Sequence, residues 1–248
     1  MYAIISDIHS NIEAMNAVLA DVAAHPVDRL YCLGDVIGYG PNPRECLDLV
    51  KRCEFILIGN HEAGLLQVAE DFNDRARRAL EWTRETLNSP EFPKETNYGY
   101  WDQIDRFVET YRTDDAMFVH GSPRDPIREY VMPASALDRS MMTEIFGMIE
   151  GRVCFAGHTH VPGLFTLDRG FVHQSELPER VRLPAKCFVN IGSVGQPRDG
   201  DNRSSYVLVD GDEVIFRRVP YDFETTMAKI RRIPALDDFL ARRLKSGK

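Results

Sequence analysis

Long apolar runs are absent from this sequence, and no window approaches the roughly 18 consecutive apolar residues that a membrane-spanning helix requires. The opening residues also lack the basic and then apolar layout of a secretory signal, so a cytoplasmic protein with no membrane partner is expected. Cysteine is scarce. The five residues Cys32, Cys46, Cys53, Cys154 and Cys187 include no CxxC pair, and Cys32 and Cys154 sit inside apolar runs, which predicts reduced, structural thiols. A positive charge excess is missing as well. The net charge of -8 and pI near 5.4 argue against a nucleic-acid polymer as partner, because that needs a basic footprint to displace counterions. A small phosphorylated ligand stays compatible, since bound divalent cations would supply the charge it needs. No internal repeat, low-complexity segment or interdomain linker interrupts the chain.

What is present is an ordinary globular composition, 44% apolar and 27% charged over 248 residues, which predicts one domain over residues 1–248 with a packed core. Residues 2–6 read as a buried strand, followed by Asp7 and His9. Ile12, Met15, Val18, Leu19 and Val22 then fall at helical spacing, with Ser10 or Asn11 suited to cap that helix. The grammar repeats in residues 28–35, 41–50 and 54–61 as strand, helix and strand, and a largely parallel sheet follows from it. In such sheets ligands bind beyond the strand ends, and each strand here ends in a polar cluster.

Residues 62–112 read as a helical insertion, with a helix from Pro133 to Ile149 further on. After that the chain turns β-rich, and a second, antiparallel-leaning sheet packed on the first is expected. The tail after Pro220 offers a short helix, and residues 242–248 are expected to fray.

Five polar clusters follow apolar runs: Asp7-Ile8-His9, Gly34-Asp35, Gly59-Asn60-His61-Glu62, His120-Gly121 and Gly157-His158-Thr159-His160. An Asp-x-His triplet in extended conformation points both side chains to one side, so one metal can take both, and the same holds for His158 and His160. Imidazole and carboxylate with one amide and no thiolate suit Mn, Fe, Ni or Zn better than Ca or Mg. Seven candidate ligands exceed one tetrahedral ion and fit two metals that share a bridging carboxylate.

In this order the clusters resemble the calcineurin-like metallophosphoesterases, whose pattern reads Asp-x-His, Gly-Asp, Gly-Asn-His-Asp/Glu, His and Gly-His-x-His. The resemblance spans roughly residues 1–205 and is closest to the small bacterial and archaeal phosphodiesterase-like members. It implies an α/β fold, a two-sheet αββα four-layer sandwich. It also implies that Asp7, His9 and His160 hold one of two divalent transition-metal ions, that Asn60, His120 and His158 hold the other, and that Asp35 bridges. Hydroxide held at the metals would attack the phosphate, and His61 would be the general acid for the leaving oxygen, a role that contributes typically 10²- to 10⁴-fold.

One stretch departs from the protein Ser/Thr phosphatase branch, whose second motif continues with an Asp and an Arg that grips the phosphate. Here the stretch reads Gly34-Asp35-Val36-Ile37-Gly38-Tyr39-Gly40, so both are absent, which favours a phosphodiester with its single negative charge. Arg44, Arg124 or Arg198 are the guanidiniums that could replace the lost clamp, and Arg198 lies in a stretch, Asn190 to Asp199, resembling the Asn-x-Gly-Ser loop of the bacterial and archaeal relatives. Arg198 and Asn11 are the candidate substrate contacts, although Asn11 also reads as a helix cap. A phosphomonoesterase is the alternative reading, and a non-catalytic metal-binding scaffold is the alternative from another class. Complete ligands and an intact His61 favour the enzyme. A homo-oligomer is compatible with the sequence. His25 and His173 belong to no motif and are expected at the surface, while Trp82 and Trp101 are expected to pack the insertion.

Overall fold

The computed structural model describes residues 1–67 and 72–248. Each of its two sheets has a parallel centre. In the first, β1 (Tyr2–Ile5), β2 (Arg29–Cys32) and β3 (Phe55–Ile56) run parallel, linked by α1 (Ile12–Ala23) and α2 (Pro43–Val50). From β3 the chain passes through α3 (Asn60–Leu66), α4 (Asp74–Leu87) and α5 (Lys94–Asp105) to β4 (Thr110–Arg112), which opens the second sheet. There β5 (Ala116–Val119) and β6 (Val153–Ala156) are parallel neighbours, with α6 (Arg139–Met148) between them in sequence. The antiparallel pair β7 (Gly163–Thr166) and β8 (Gly170–His173) follows. Next come β9 (Arg180–Arg182), β10 (Cys187–Asn190), β11 (Ser204–Asp210) and β12 (Glu213–Val219), then α7 (Phe223–Arg231) and α8 (Asp238–Ser246).

The strand orders are β3-β2-β1-β11-β12-β9 and β4-β5-β6-β10-β7-β8. Alternation along single strands explains the layers. Ala3 and Ile5 face α1 and α2, while Ile4 between them joins Tyr31, Phe118, Phe155 and Val207 in the core between the sheets. On β5, Phe118 enters that same core, whereas Met117 and Val119 pack under α6 with Ile145 and Phe146. Both faces of each sheet are covered, which is why the strands read as unbroken apolar runs. Helix, sheet, sheet and helix make the expected αββα sandwich.

Several boundaries differ from the sequence reading. The β-rich C-terminal strands do not form a sheet of their own: β11 and β12 extend the first sheet through antiparallel pairing with β1, and β10 and β7 extend the second. Apolar alternation specifies buried faces and leaves the choice of partner to tertiary contacts. The helical insertion ends earlier than residue 112, because Thr110–Arg112 pairs with β5. Val68 and Ala69, read as part of its first helix, lie outside the described residues. Pro133–Leu137 is a 3₁₀ turn, and α6 starts anew where the Asp138 carboxylate accepts the Met141 N–H at 3.0 Å. The tail forms two helices, and residues 242–246 belong to α8, which buries Leu240 and Leu244 and closes on Gly247 in the left-handed region. The short β9 escaped notice because Arg180 and Arg182 flank a single buried Val181; charges of this kind protect an edge strand.

Trp82 packs toward α7 and α8, and Trp101 packs on the outer core of the first sheet. His25 and His173 are half-buried rather than at the surface, drawn in by Asp21 and Asp199. Among the described residues no helix is long and apolar enough to cross a membrane.

Candidate metal centre

Six loops deliver the site, and each follows a strand of one of the two parallel centres, at its carboxyl end. Backbone hydrogen bonds join these loops. The Asp7 N–H donates to the Gly34 carbonyl and the His9 N–H to the Asp35 carbonyl, both at 3.0 Å, so the first two loops run side by side. The loop after β10 closes on them through Gly195 N–H to the Asp7 carbonyl at 2.9 Å and Ser193 Oγ to the same carbonyl at 2.8 Å.

The side chains do not converge by strand pleating, as the sequence suggested. Asp7, His9, Asp35, His158 and His160 have φ between 49° and 65°, in the left-handed region that non-glycine residues seldom adopt. Each Asp-x-His or His-x-His pair is therefore aimed by tight left-handed turns. Such strain, of order 1–3 kcal/mol per residue, persists where surrounding structure over-determines it and clusters at functional sites.

All seven expected ligands come together. Their imidazole and carboxylate members are at most 2% exposed. His160 Nε2 is 3.1 Å from Asp7 Oδ1, and His9 Nε2 is 3.1 Å from His160 Nε2. On the other side His120 Nε2 is 3.0 Å from His158 Nδ1 and 3.3 Å from Asn60 Oδ1. Asp35 stands between the two groups, with Oδ2 3.7 Å from His9 Nε2 and 3.4 Å from His120 Nε2.

The remaining nitrogen of every imidazole is fixed by a backbone carbonyl: His9 by Ile37, His120 by Leu33, His158 by Arg128 and His160 by Gln196. Donating there leaves a bare lone pair on the nitrogen that faces the cluster, the usual arrangement of a metal-binding histidine. Two such lone pairs facing each other repel unless a cation or proton lies between them. Asp7 Oδ1 is buried without a hydrogen-bond partner. These donors fit divalent metals, and three groups have ligand atoms close enough to share an ion: Asp7, His9 and His160; Asp35, His120 and His158; and His9, Asp35 and His61.

The charges within the cluster act strongly on one another. Burial opposes ionisation of Asp35, yet His120, His61 and His9 outweigh it and hold the carboxyl well below its ordinary range. Burial also works against a charged His120, but Asp35 and Asp7 raise it to about 9. His158 is pushed down to about 3 by burial and by His120. Burial likewise lowers His61 to about 4, with Asp35 opposing and Arg198 adding to the fall.

His61 presents its backbone to Asp35, donating N–H to Oδ1 at 2.9 Å, while its Nδ1 is buried and unpartnered. Tyr39 packs edge-on against His61 with centroids 4.4 Å apart. Arg198 is near, its guanidinium 5.8 Å from the Tyr39 ring centroid. Asn11 is buried, with its amide donating to the Gly195 carbonyl and accepting from Ala14 N–H and Thr226 Oγ1. It caps α1 and ties it to the site loop.

Glu62, Tyr39 and Tyr130 went unassigned in the sequence. Glu62 sits three residues into a helix that follows Gly59, a capping-box position that was legible. Tyr130 stacks on His158 at 3.6 Å, and nothing in its surroundings in the sequence signals this. A cleft of about 310 Å³ opens over Asn60 and His158, walled by Tyr39, Phe72, Tyr130 and Arg128. A larger hollow of about 520 Å³, near Lys51, Asp102 and Arg106, contains none of the clustered ligands.

A model of the calcineurin-like phosphoesterase superfamily domain matches residues 1–213. The protein MJ0912 of Methanocaldococcus jannaschii is 34% identical, over 100% of this chain and 98% of its own. A metallophosphoesterase from Sphaerobacter thermophilus, of known crystal structure, is 35% identical with a TM-score of 0.82, covering 100% of this chain and 99% of that one. Protein PH1004 from Pyrococcus horikoshii OT3 shares the fold, with a TM-score of 0.78 at 18% identity over 100% of this chain and 98% of its own.

Proposed function

The chain belongs to the calcineurin-like phosphoesterase superfamily, and from that premise we propose that it hydrolyses small organic phosphodiesters in preference to phosphomonoesters. Asp7, His9 and His160 would hold one divalent ion, and Asn60, His120 and His158 the other, with Asp35 between them. The ions would supply Lewis acidity and a nucleophilic water at neutral pH. Mixed imidazole and carboxylate donors suit Mn, Fe, Ni or Zn.

The observation that carries the diester reading is that two of the three guanidiniums singled out in the sequence as candidate clamps are engaged away from the cluster. Gly38 and Tyr39 stand where the phosphatase branch carries its Asp and Arg, so neither position supplies a guanidinium. Arg44 is engaged by the Thr86 and Leu87 carbonyls and by Asn97, and Arg124 by Glu129 and Glu144. Of the three candidate clamps only Arg198 faces the cluster, where its charge lowers the pKa values of His9 and His61. A monoanionic diester leans less on bidentate guanidinium recognition than a dianionic monoester does. The aromatic cleft beside His158 offers a wall for the second organic arm.

His61 is assigned to protonate the leaving oxygen through its imidazole, whose ring centroid lies 4.8 Å from that of His9. A phosphate anion beside it would raise its low pKa toward the working range. Monoester hydrolysis is the second reading, and Arg198 is the observation that favours it. The partner is a small phosphorylated molecule, in keeping with the net charge of -8.

The test is hydrolysis of bis-p-nitrophenyl phosphate against p-nitrophenyl phosphate by protein reconstituted with Mn²⁺ or Ni²⁺, with EDTA as control. Faster, EDTA-sensitive diester cleavage supports the proposal, and faster monoester cleavage replaces it with a phosphatase. Two bound metals with no cleavage of either would revive the scaffold.

A further inference from the structure

The cleft over Asn60 and His158 is walled by side chains that the metal centre itself holds in place. The loop after β5 contributes Arg128 and Tyr130. The Arg128 carbonyl fixes His158 Nε2 at 3.1 Å, and the Tyr130 ring lies on the His158 imidazole with centroids 3.6 Å apart and planes 28° apart. Phe72 and Tyr39 complete the aromatic wall, and both meet His61 edge-on, with centroids at 5.2 and 4.4 Å. One hollow is thus lined by a ring stacked on a candidate ligand and by two rings packed on His61.

Tyr130 is not a core residue. His158 takes one face of its ring, yet the residue is 48% exposed, so its free face and edge belong to the cleft. Among the described residues no carboxylate lines the hollow. Asn73 can offer it only an amide NH₂, because Asn73 Oδ1 already accepts the Arg75 and Ala76 N–H groups at the start of α4. At about 310 Å³ the cleft lies at the small end of ligand pockets, which suits one ring system rather than a long chain. A half-free aromatic face beside a hydrogen-bond donor, with no anion near, suits a flat ring, since every aromatic ring has a π-face to stack whatever its substituents.

We propose that this cleft is the subsite for a flat aromatic ring in the organic arm of the substrate, and that Tyr130 is the residue on which the ring stacks. The substrate class is then a phosphate ester whose arm carries an aryl ring or a nucleobase, rather than a purely aliphatic or sugar arm. This rests on the reading that a phosphoryl group sits at the Asp/His cluster, and it holds for a diester or a monoester alike.

Calorimetric binding to the Mn²⁺-loaded protein, with Mn²⁺ in excess, tests it without turnover. The probes are phenylphosphonate and phenylbutylphosphonate, each set against its cyclohexyl counterpart of similar bulk, with methylphosphonate as the reference. At least one aromatic probe should bind about tenfold or more tightly than methylphosphonate, and about threefold or more tightly than its cyclohexyl counterpart. An advantage in the short probe marks an aryl ester, and one confined to the long probe marks an arm that spaces its ring as a nucleoside does. The aromatic advantage should be lost in Tyr130→Leu and persist in Tyr130→Phe. It should also persist in Tyr98→Leu, which alters an exposed ring on α5. Bound metal and methylphosphonate affinity should stay at the wild-type level in each variant. Equal binding of aromatic and cyclohexyl probes by the wild type, or an advantage that survives Tyr130→Leu, would overturn the subsite alone. No binding of any probe would overturn the placing of a phosphoryl group at the cluster, and the subsite with it. Failure of the diester preference would appear only in the nitrophenyl assays and would leave these ratios untouched.

Discussion

Glu62 holds Asp35 through the backbone: one carboxylate oxygen accepts the Asp35 N–H at 2.9 Å and the Gly59 N–H at 2.9 Å, while the other accepts the Ile37 N–H at 3.1 Å. The left-handed turn that aims Asp35 into the cluster is thus fastened from behind by a residue that touches no other ligand side chain. Glu62→Gln replaces one acceptor by an amide NH₂ that opposes a backbone donor. The expected result is about tenfold or greater weakening of metal binding and a loss of about 1–3 kcal/mol in stability. Metal titration and urea unfolding of the apoprotein check the two separately, and wild-type values in both would remove Glu62 from the support of Asp35.

Asp35→Asn is expected to weaken both ions together, because Asp35 Oδ2 is close to both His9 and His120. Elemental analysis after dialysis at limiting metal decides it. Retention of one full equivalent would show that Asp35 serves a single ion.

Which residues gather at the site was legible because six parallel strands each place a short polar motif at the carboxyl end, and local sequence carries both strand and motif. The aim of the side chains was not legible. Left-handed φ at Asp7 and His9 is imposed by hydrogen bonds to Gly34 and Asp35, residues from another loop. The same reason hid the division of β10 and β11 between sheets, since both are buried on two faces and either partner would satisfy the pattern. Arg243 was read as part of a frayed tail. Its position depends on Leu240 and Leu244 docking at the site, a contact the charged tail conceals.

Away from the site, Asp21 on α1 receives two hydrogen bonds from Arg217, at 2.9 and 3.0 Å, and one from the Tyr206 hydroxyl at 2.6 Å. The Arg217 hydrogen bond is the main cause that lowers the Asp21 pKa. A carboxyl depressed in the folded state stabilises above its ordinary value of about 4, and the gain is lost as pH falls through the folded value. Arg217→Gln should therefore cost about 1–2 kcal/mol at pH 7 and progressively less below pH 4. Urea unfolding of both proteins at pH 7 and pH 3 measures the difference; an equal deficit at both would assign it to packing of the arginine stem.

His61→Ala separates catalysis from metal holding because the two roles of His61 use different atoms. Its backbone N–H supports Asp35 and survives the substitution, whereas the imidazole is removed. Metal content should stay at the wild-type level while turnover falls about 10²- to 10⁴-fold. The loss should be smaller for a p-nitrophenyl leaving group, which departs without much help from a proton, than for an alkyl ester. Unchanged turnover on the alkyl ester would sink the general-acid role. Loss of one metal equivalent would instead make His61 a ligand alongside His9 and Asp35, the third grouping that the geometry allows.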